Sequence, residues 1–387
     1  MANHIRITPN KTFRGRLHIQ AGLLFISLGL LLGGCNQPAA QALLEDYLDS
    51  MSRVLETPID TDLGTALLDL PALPEKRERR LPVTDIREGI IEVWDFQQCG
   101  MMHLIAERNS SLGKVMPASQ KMAYELRFMA ALQVCRDQLQ ALAQPSTEQQ
   151  AFLQRLLEIH ALKQANLPAD IWNGIYASDE ITQHFALGQP PLPPDYAGHG
   201  HVQRALERLQ VLAGLATADP LQPPDWLPEL EDSYYALYSS DFGAQWLTGL
   251  RLLTQTLERA AIALEQRLQR QAFCFPGHRP RRAEILGNIF RKYYAGQVQP
   301  YMALIQREGR EWLAVHEQIM AQLPVPAAMQ AYREQVISQD TPDSLWQSWQ
   351  QANQRHTRAW QQILRQCGMM PGQDQEDQET APTPTPP

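Results

Sequence analysis

The sequence predicts an all-α protein: a bundle-like body of many helices, joined by proline-rich connectors and stapled by two disulfides. Three observations lead there. Apolar residues recur at i, i+3, i+4 and i+7 through most of the chain, the spacing of one helical face. No segment alternates apolar and polar residues between hairpin turns, and β-branched residues are sparse beside Leu, Ala and Gln. The periodic segments are separated by breaks rich in proline, of which the 387 residues hold 28.

Taken in order, residues 41–55 set Leu43, Leu44, Tyr47, Leu48, Met51 and Leu55 along one face of a short helix. Between Thr57 and Pro82 four prolines and the charge run Glu75–Arg80 interrupt periodicity, which predicts an extended strap laid over the body. Thr84 is placed to cap a following helix. Ser146 with Gln149 forms a capping box ahead of "AFLQRLLEIHAL". A new helix is expected near Pro168, since proline suits a first turn, and others at 201–215, 283–294, 300–322, 326–338 and 343–366. The longest periodic run, 241–271, carries Phe242, Trp246, Leu250, Leu253, Leu257, Ala261, Leu264 and Leu268 on one side and reads as the spine of the core.

Residues 1–20 hold Arg6, Lys11, Arg14 and Arg16 and no acid, and residues 21–32, "AGLLFISLGLLL", are unbroken apolar or small text. That is the order of a secretory signal, and twelve helical residues reach only ~18 Å, too short for a ~30 Å hydrocarbon core. Leu32-Gly33-Gly34-Cys35 then resembles a bacterial lipobox, which makes Cys35 the lipidated first residue of the mature chain. Several acyl chains on one cysteine anchor a protein firmly. By resemblance to lipoproteins of Gram-negative envelopes, Asn36 directs the chain to the inner leaflet of the outer membrane, facing the periplasm.

The domain plan is therefore a signal peptide over 1–34, then a lipidated N-terminus with short helix and strap over 35–82. An all-α domain follows over 83–370, with a possible subdivision near 217–228. The tail 371–387 has too little apolar text to order itself. The net charge of −8 becomes four units more negative once the signal leaves. Such a body is a poor partner for nucleic acid.

With Cys35 lipidated, Cys99, Cys135, Cys274 and Cys367 remain, and an even count in an oxidising compartment suggests two disulfides among three possible connectivities. Pairing sequence neighbours, Cys99 with Cys135 and Cys274 with Cys367, is favoured. If two unbroken helices met at "NSSLGKVMP", Cys99 and Cys135 would be offset by ~15 Å, beyond the ~7 Å a disulfide spans. Either the helix breaks at Cys99-Gly100 or the pairing is different; the break is preferred, because glycine readily ends a helix.

Chemistry is hard to find. Ser111 and Lys114 match S-x-x-K, a serine with a lysine base one turn on, but Gly113 and Pro117 disfavour a helix there and the companion motifs are missing. Asn109, Ser110 and Ser111 fit better as groups that bond nearby backbone, or as a surface shown to a partner. His199, His201 and Asp195 would supply an incomplete metal set. Tyr234, Tyr235, Tyr238, Phe242 and Trp246, with Trp346, Trp349 and Trp360, recur near one helical turn apart. They read first as core and second as a groove for lipid or glycan, for which Tyr234, Tyr238 and Trp246 are the candidates. No metal and no cofactor is expected.

"ERNSSLG" (107–113), Val115-Met116-Pro117, Ser119-Gln120, Tyr124-Glu125-Leu126-Arg127, Cys274-Phe275 and "GQVQPYM" (296–302) are together similar to an uncharacterised Gram-negative lipoprotein family, the domain-of-unknown-function family numbered 3080. The resemblance implies lipid anchoring and assigns no catalytic residue. The expectation that results is a periplasm-facing, membrane-anchored interaction or scaffold component with an envelope protein as partner. A hydrolase using Ser111 and Lys114, or a lipid- or glycan-binding body, is the alternative.

Overall fold

The computed structural model describes residues 37–84, 93–275 and 278–370. The expected signal segment, Cys35, the helix start expected after Thr84 and the tail 371–387 lie outside the described residues.

Among the described residues every regular element is helical, and the single β-type pairing is an isolated bridge between Phe275 and His278. The chain forms α1 (Ala39–Leu55), a 3₁₀ segment (Gly64–Asp69), the single turn α2 (Lys76–Arg79), a second 3₁₀ segment (Val93–Cys99) and α3 (Met102–Asn109). There follow α4 (Ala118–Gln140), α5 (Thr147–Tyr176), α6 (Asp179–His184), α7 (Gly200–Ala213), α8 (Leu230–Tyr238) and α9 (Phe242–Arg270). The C-terminal third holds α10 (Arg281–Ile289), a π-helical stretch (Phe290–Val298), α11 (Gln299–Ala321), α12 (Ala327–Tyr332), a second π-helical stretch (Arg333–Ile337) and α13 (Leu345–Gln366).

Helix α9 is the axis of the body. Its 29 residues extend about 43 Å. Phe242, Trp246, Leu250, Leu253, Leu257, Ala261 and Leu264 are all buried along it. α13 and α1 pack on its sides and α11 crosses it. α11 comes closest at Gly309, where a Cβ would stand 2.1 Å from the Trp246 ring. Only glycine lets the two helices meet there, and Trp246 is held in that seat by donating Nε1–H to the Ile305 carbonyl at 2.8 Å. One hydrophobic cluster runs from α1 to Cys367, across residues 217–228 without a gap.

The strap is held by buried Leu63 and Leu70 and by a series of polar contacts. Arg259 Nη1 donates to the carbonyls of Asp60 and Asp62, both at 2.8 Å. Arg79 is buried, donating to the Tyr176 carbonyl at 2.6 Å and to Thr182 Oγ1 at 2.9 Å. Asn173 accepts from Leu81 N at 2.8 Å and donates to Leu81 O at 2.9 Å, as another strand would. Thr84 makes the same two-way exchange with Asn166.

Two expectations about helix boundaries fail. No helix begins at Pro168; α5 runs through it from the Ser146–Gln149 capping box to Tyr176. A proline inside a helix loses one backbone hydrogen bond and crowds the preceding turn. Here Leu156 and Ile159 before it and Ile171, Trp172 and Ile175 after it are all buried, so packing on both sides outweighs the local cost. The break expected between 294 and 300 is also absent, because the π-helical stretch 290–298 carries the chain from α10 into α11 without leaving helix.

Candidate functional site

The two disulfides join Cys99 to Cys135 and Cys274 to Cys367, with Cα atoms 5.2 and 5.1 Å apart. The first requires the helix break, and it is there. The 3₁₀ segment ends at Cys99, Gly100 takes φ +68°, and α3 starts afresh at Met102. Gly100–Pro117 is thereby a connector pinned at its root and joined to α4 at its far end.

The connector is shaped by its own polar groups. Ser110 Oγ donates to the Glu107 carbonyl at 2.8 Å and accepts from Gly113 N at 2.9 Å. Arg108 Nη1 donates to the Gly113 carbonyl at 2.5 Å. Gly113 lies against the carbonyl end of α3, where a Cβ would meet Glu107 O at 2.1 Å and Arg108 O at 2.6 Å, so no other residue fits without moving backbone. Arg127 on α4 clasps Glu107 through both guanidinium nitrogens, at 2.6 and 3.1 Å. A bidentate pair fixes orientation as well as distance.

This bracket turns two large apolar side chains outward. Leu112 is 78% exposed and Val115 74%, the two highest values among the exposed large hydrophobic residues described. They belong to one turn, closed by Val115 N donating to Leu112 O at 3.0 Å. Scattered apolar side chains on a surface are ordinary, but a pair held out by a self-bonded loop is not scattered.

Ser111 does not open a helix. It sits in the turn between α3 and the 3₁₀ turn Gly113–Val115, and both Ser111 and Lys114 are exposed. Lys114 N donates to the Ser110 carbonyl at 3.2 Å, and among the described contacts none joins the Lys114 side chain to Ser111. Asn109 is exposed at the last position of α3, and of the three polar residues named from the sequence it is Ser110 that bonds backbone.

The aromatic candidates separate sharply. Tyr234 and Trp246 are core: Tyr234 donates its hydroxyl to the Gly174 carbonyl at 2.7 Å, and both are almost fully buried. Trp346, Trp349 and Trp360 are buried too, whereas Tyr235 and Tyr238 on α8 stand in solvent. No shared groove joins Tyr238 to Trp246. His199 is buried, its ring 3.8 Å from that of Phe242 and its Nδ1 2.9 Å from Glu308 Oε2, while His201 is exposed. Among the described residues no group of three metal-ligating side chains assembles.

Burial gives the body a set of neutral histidines that the sequence did not signal. Trp360 Nε1–H donates to the Tyr47 oxygen at 2.9 Å, and Tyr47 O–H in turn faces His356 Nε2 at 2.7 Å. Tyr176 O–H faces His316 Nδ1 at 3.0 Å in the same way. Loss of solvent pushes His356 and His316 each down to about 3, and His184 down to about 4 despite the Leu237 carbonyl on its ring. The same loss raises the Tyr47 and Tyr176 hydroxyls well above their usual value. The His356 and His316 rings each have one nitrogen bonded, while His356 Nδ1 and His316 Nε2 are buried without a hydrogen-bond partner among the described residues.

A family sequence model described as "Protein of unknown function (DUF3080)" matches residues 44–371, most of the chain. The chain belongs to the DUF3080 family. No curated protein and no solved structure matches it. The DUF3080 span takes in both disulfides, the connector and the helical body from within α1 onward, and begins nine residues after Cys35.

Proposed function

We propose that this DUF3080 protein is a lipid-anchored component of the cell envelope, held through Cys35 and facing the periplasm from the inner leaflet of the outer membrane. It works without catalysis by presenting the Gly100–Pro117 connector to another envelope protein. The observation that supports this reading is the bracket itself. A disulfide, a bidentate ion pair and a fitted glycine hold Leu112 and Val115 in water. A partner burying both would gain about 3–6 kcal/mol from area alone, before the entropic cost of association. A rigid loop lowers that cost because the ordering is already done.

The test is photocrosslinking in cells from positions 112 and 115, with Val134 and Val211 as exposed apolar controls. The expected result is one shared protein partner captured from 112 and 115, absent from the controls, and lost in Leu112→Asp/Val115→Asp at unchanged chain level. Equal capture from the control positions would refute the connector's role. The anchor is tested separately: Cys35→Ala should release the chain from the membrane fraction.

A further inference from the structure

Where α9 ends and α10 begins, the chain folds into a corner with a cleft of about 390 Å³. Arg267, Arg281 and Arg282 line it with His278, and Phe273 and Phe275 form its apolar side; among the described residues no carboxylate is in its lining. In a chain with 42 acidic against 34 basic residues this is a local reversal of charge. Arg282 is shared with Glu56 at 2.6 Å. Arg267 donates to the Gln271 carbonyl at 2.7 Å and covers the Phe273 ring at 5.0 Å. Neither Arg267 nor Arg281 has a carboxylate partner among the described residues. Three guanidinium groups against the one carboxylate of Glu56 leave two positive charges at the cleft.

The corner is braced before any ligand arrives. The Cys274–Cys367 disulfide ties its floor to the end of α13. Gln366 Oε1 accepts from Phe273 N at 2.6 Å and from Cys274 N at 3.3 Å, and Arg279 donates to the Gly368 carbonyl at 2.8 Å. Phe275 and His278 exchange backbone hydrogen bonds at 3.3 and 3.0 Å. α10 also starts at Arg281, so the positive end of its dipole adds to the same field.

We propose that this cleft binds a phosphomonoester carrying an apolar or aromatic group. The planar forks of arginine match phosphate oxygens. A dianion neutralises the two uncompensated charges where a carboxylate would leave one. Phe273, buried, and Phe275, about half exposed, supply a wall for the neighbouring group. The ester is either a soluble metabolite or a lipid headgroup, and the chemistry of the cleft is the same for both.

The test uses the full chain and titrates phenyl phosphate, inorganic phosphate and benzoate by calorimetry. Phenyl phosphate should bind best, inorganic phosphate several-fold more weakly, and benzoate least. Arg267→Gln/Arg281→Gln should weaken phenyl phosphate at least tenfold, and Arg267→Lys/Arg281→Lys should restore part of that loss, which a folding defect would not. Phe275→Ser should weaken phenyl phosphate and leave inorganic phosphate unchanged. Co-sedimentation with phosphatidylcholine vesicles, with and without phosphatidic acid, separates the sources. A phosphatidic-acid preference lost in the Gln variant assigns the lipid headgroup, and phenyl phosphate binding without that preference assigns a soluble ester. Binding that the Gln variant leaves intact, or no binding to any phosphate form, would overturn the proposal.

Discussion

Cys99–Cys135 and Cys274–Cys367 are alike in geometry and unlike in what they hold. Between Gly100 and Pro117 only Met101, Leu104 and Gly113 are buried, so the first disulfide braces a loop with little core beneath it. Around the second, Phe273, Cys274, Ile363, Leu364 and Cys367 are all buried and join the main cluster. Loop-closure entropy does not account for the contrast: enclosed separations of 36 and 93 residues give about 4 and about 5 kcal/mol in the chain-entropy picture. The difference lies in redundancy. The C-terminal corner is held by packing, hydrogen bonds and a disulfide together, whereas the connector relies on its disulfide and a few polar contacts. Strong local bracing without burial is how a protein keeps a loop both ordered and exposed.

Three perturbations should separate the two regions, the first two with the larger global effects. Gly309→Ala places a methyl against the Trp246 ring at the crossing of α9 and α11. The ring has nowhere to go while Nε1 holds Ile305. Overpacking of this kind should cost about 3 kcal/mol or more, read as a fall in the global thermal midpoint with the connector's exchange pattern unchanged until unfolding. A midpoint within a degree of wild type would show that the crossing is looser than described.

Acid is the second, and it acts through histidines buried in the body. His316, His356 and His184 have folded values near 3, 3 and 4, below the ~6.5 of an unfolded histidine. As pH falls below 6.5 the unfolded chain takes up protons that the folded chain refuses, so stability is fully present above that pH and is lost on acidification. At pH 5 each histidine should have cost about 2 kcal/mol. Urea unfolding at pH 7, 6 and 5 measures it, and a flat profile would contradict buried neutral rings.

The smallest global effect is expected from Cys99→Ser/Cys135→Ser. Hydrogen exchange over 100–117 should rise by an order of magnitude or more, while the thermal midpoint of the body moves little. Cys274→Ser/Cys367→Ser should show the reverse, a lowered midpoint with the connector unchanged. If both pairs shift the midpoint equally, the connector is part of the cooperative core and the contrast drawn above is wrong.

Much of this was legible from local text. Helical class, the spine along α9, the Ser146–Gln149 cap and the break at Gly100 all depend on residues within a few turns of one another, whereas the favoured cysteine pairing, between residues 36 and 93 apart, rested on chain order. The failures share a cause. Pro168 and the 290–298 stretch look like breaks locally, and helix persists because side chains on both sides are buried by distant elements. Leu112 and Val115 were visible as two apolar residues in a polar loop, yet nothing nearby showed that no helix would cover them. The neutral histidines were invisible, since a lone histidine on a helical face carries no mark of burial.

By itself the sequence determined most of where helices form, because periodicity and capping act over short distances; it favoured one cysteine pairing of three, and the tertiary structure decided it. Tertiary packing decided which aromatic residues became core, with Tyr234 and Trp246 inside and Tyr235 and Tyr238 outside. It also brought Arg267, Arg281 and Arg282 around one cleft and left Leu112 and Val115 in water. Exposure and convergence are properties of how separate elements meet. The free energy that sets them is buried area summed across the fold, which no single stretch of chain encodes.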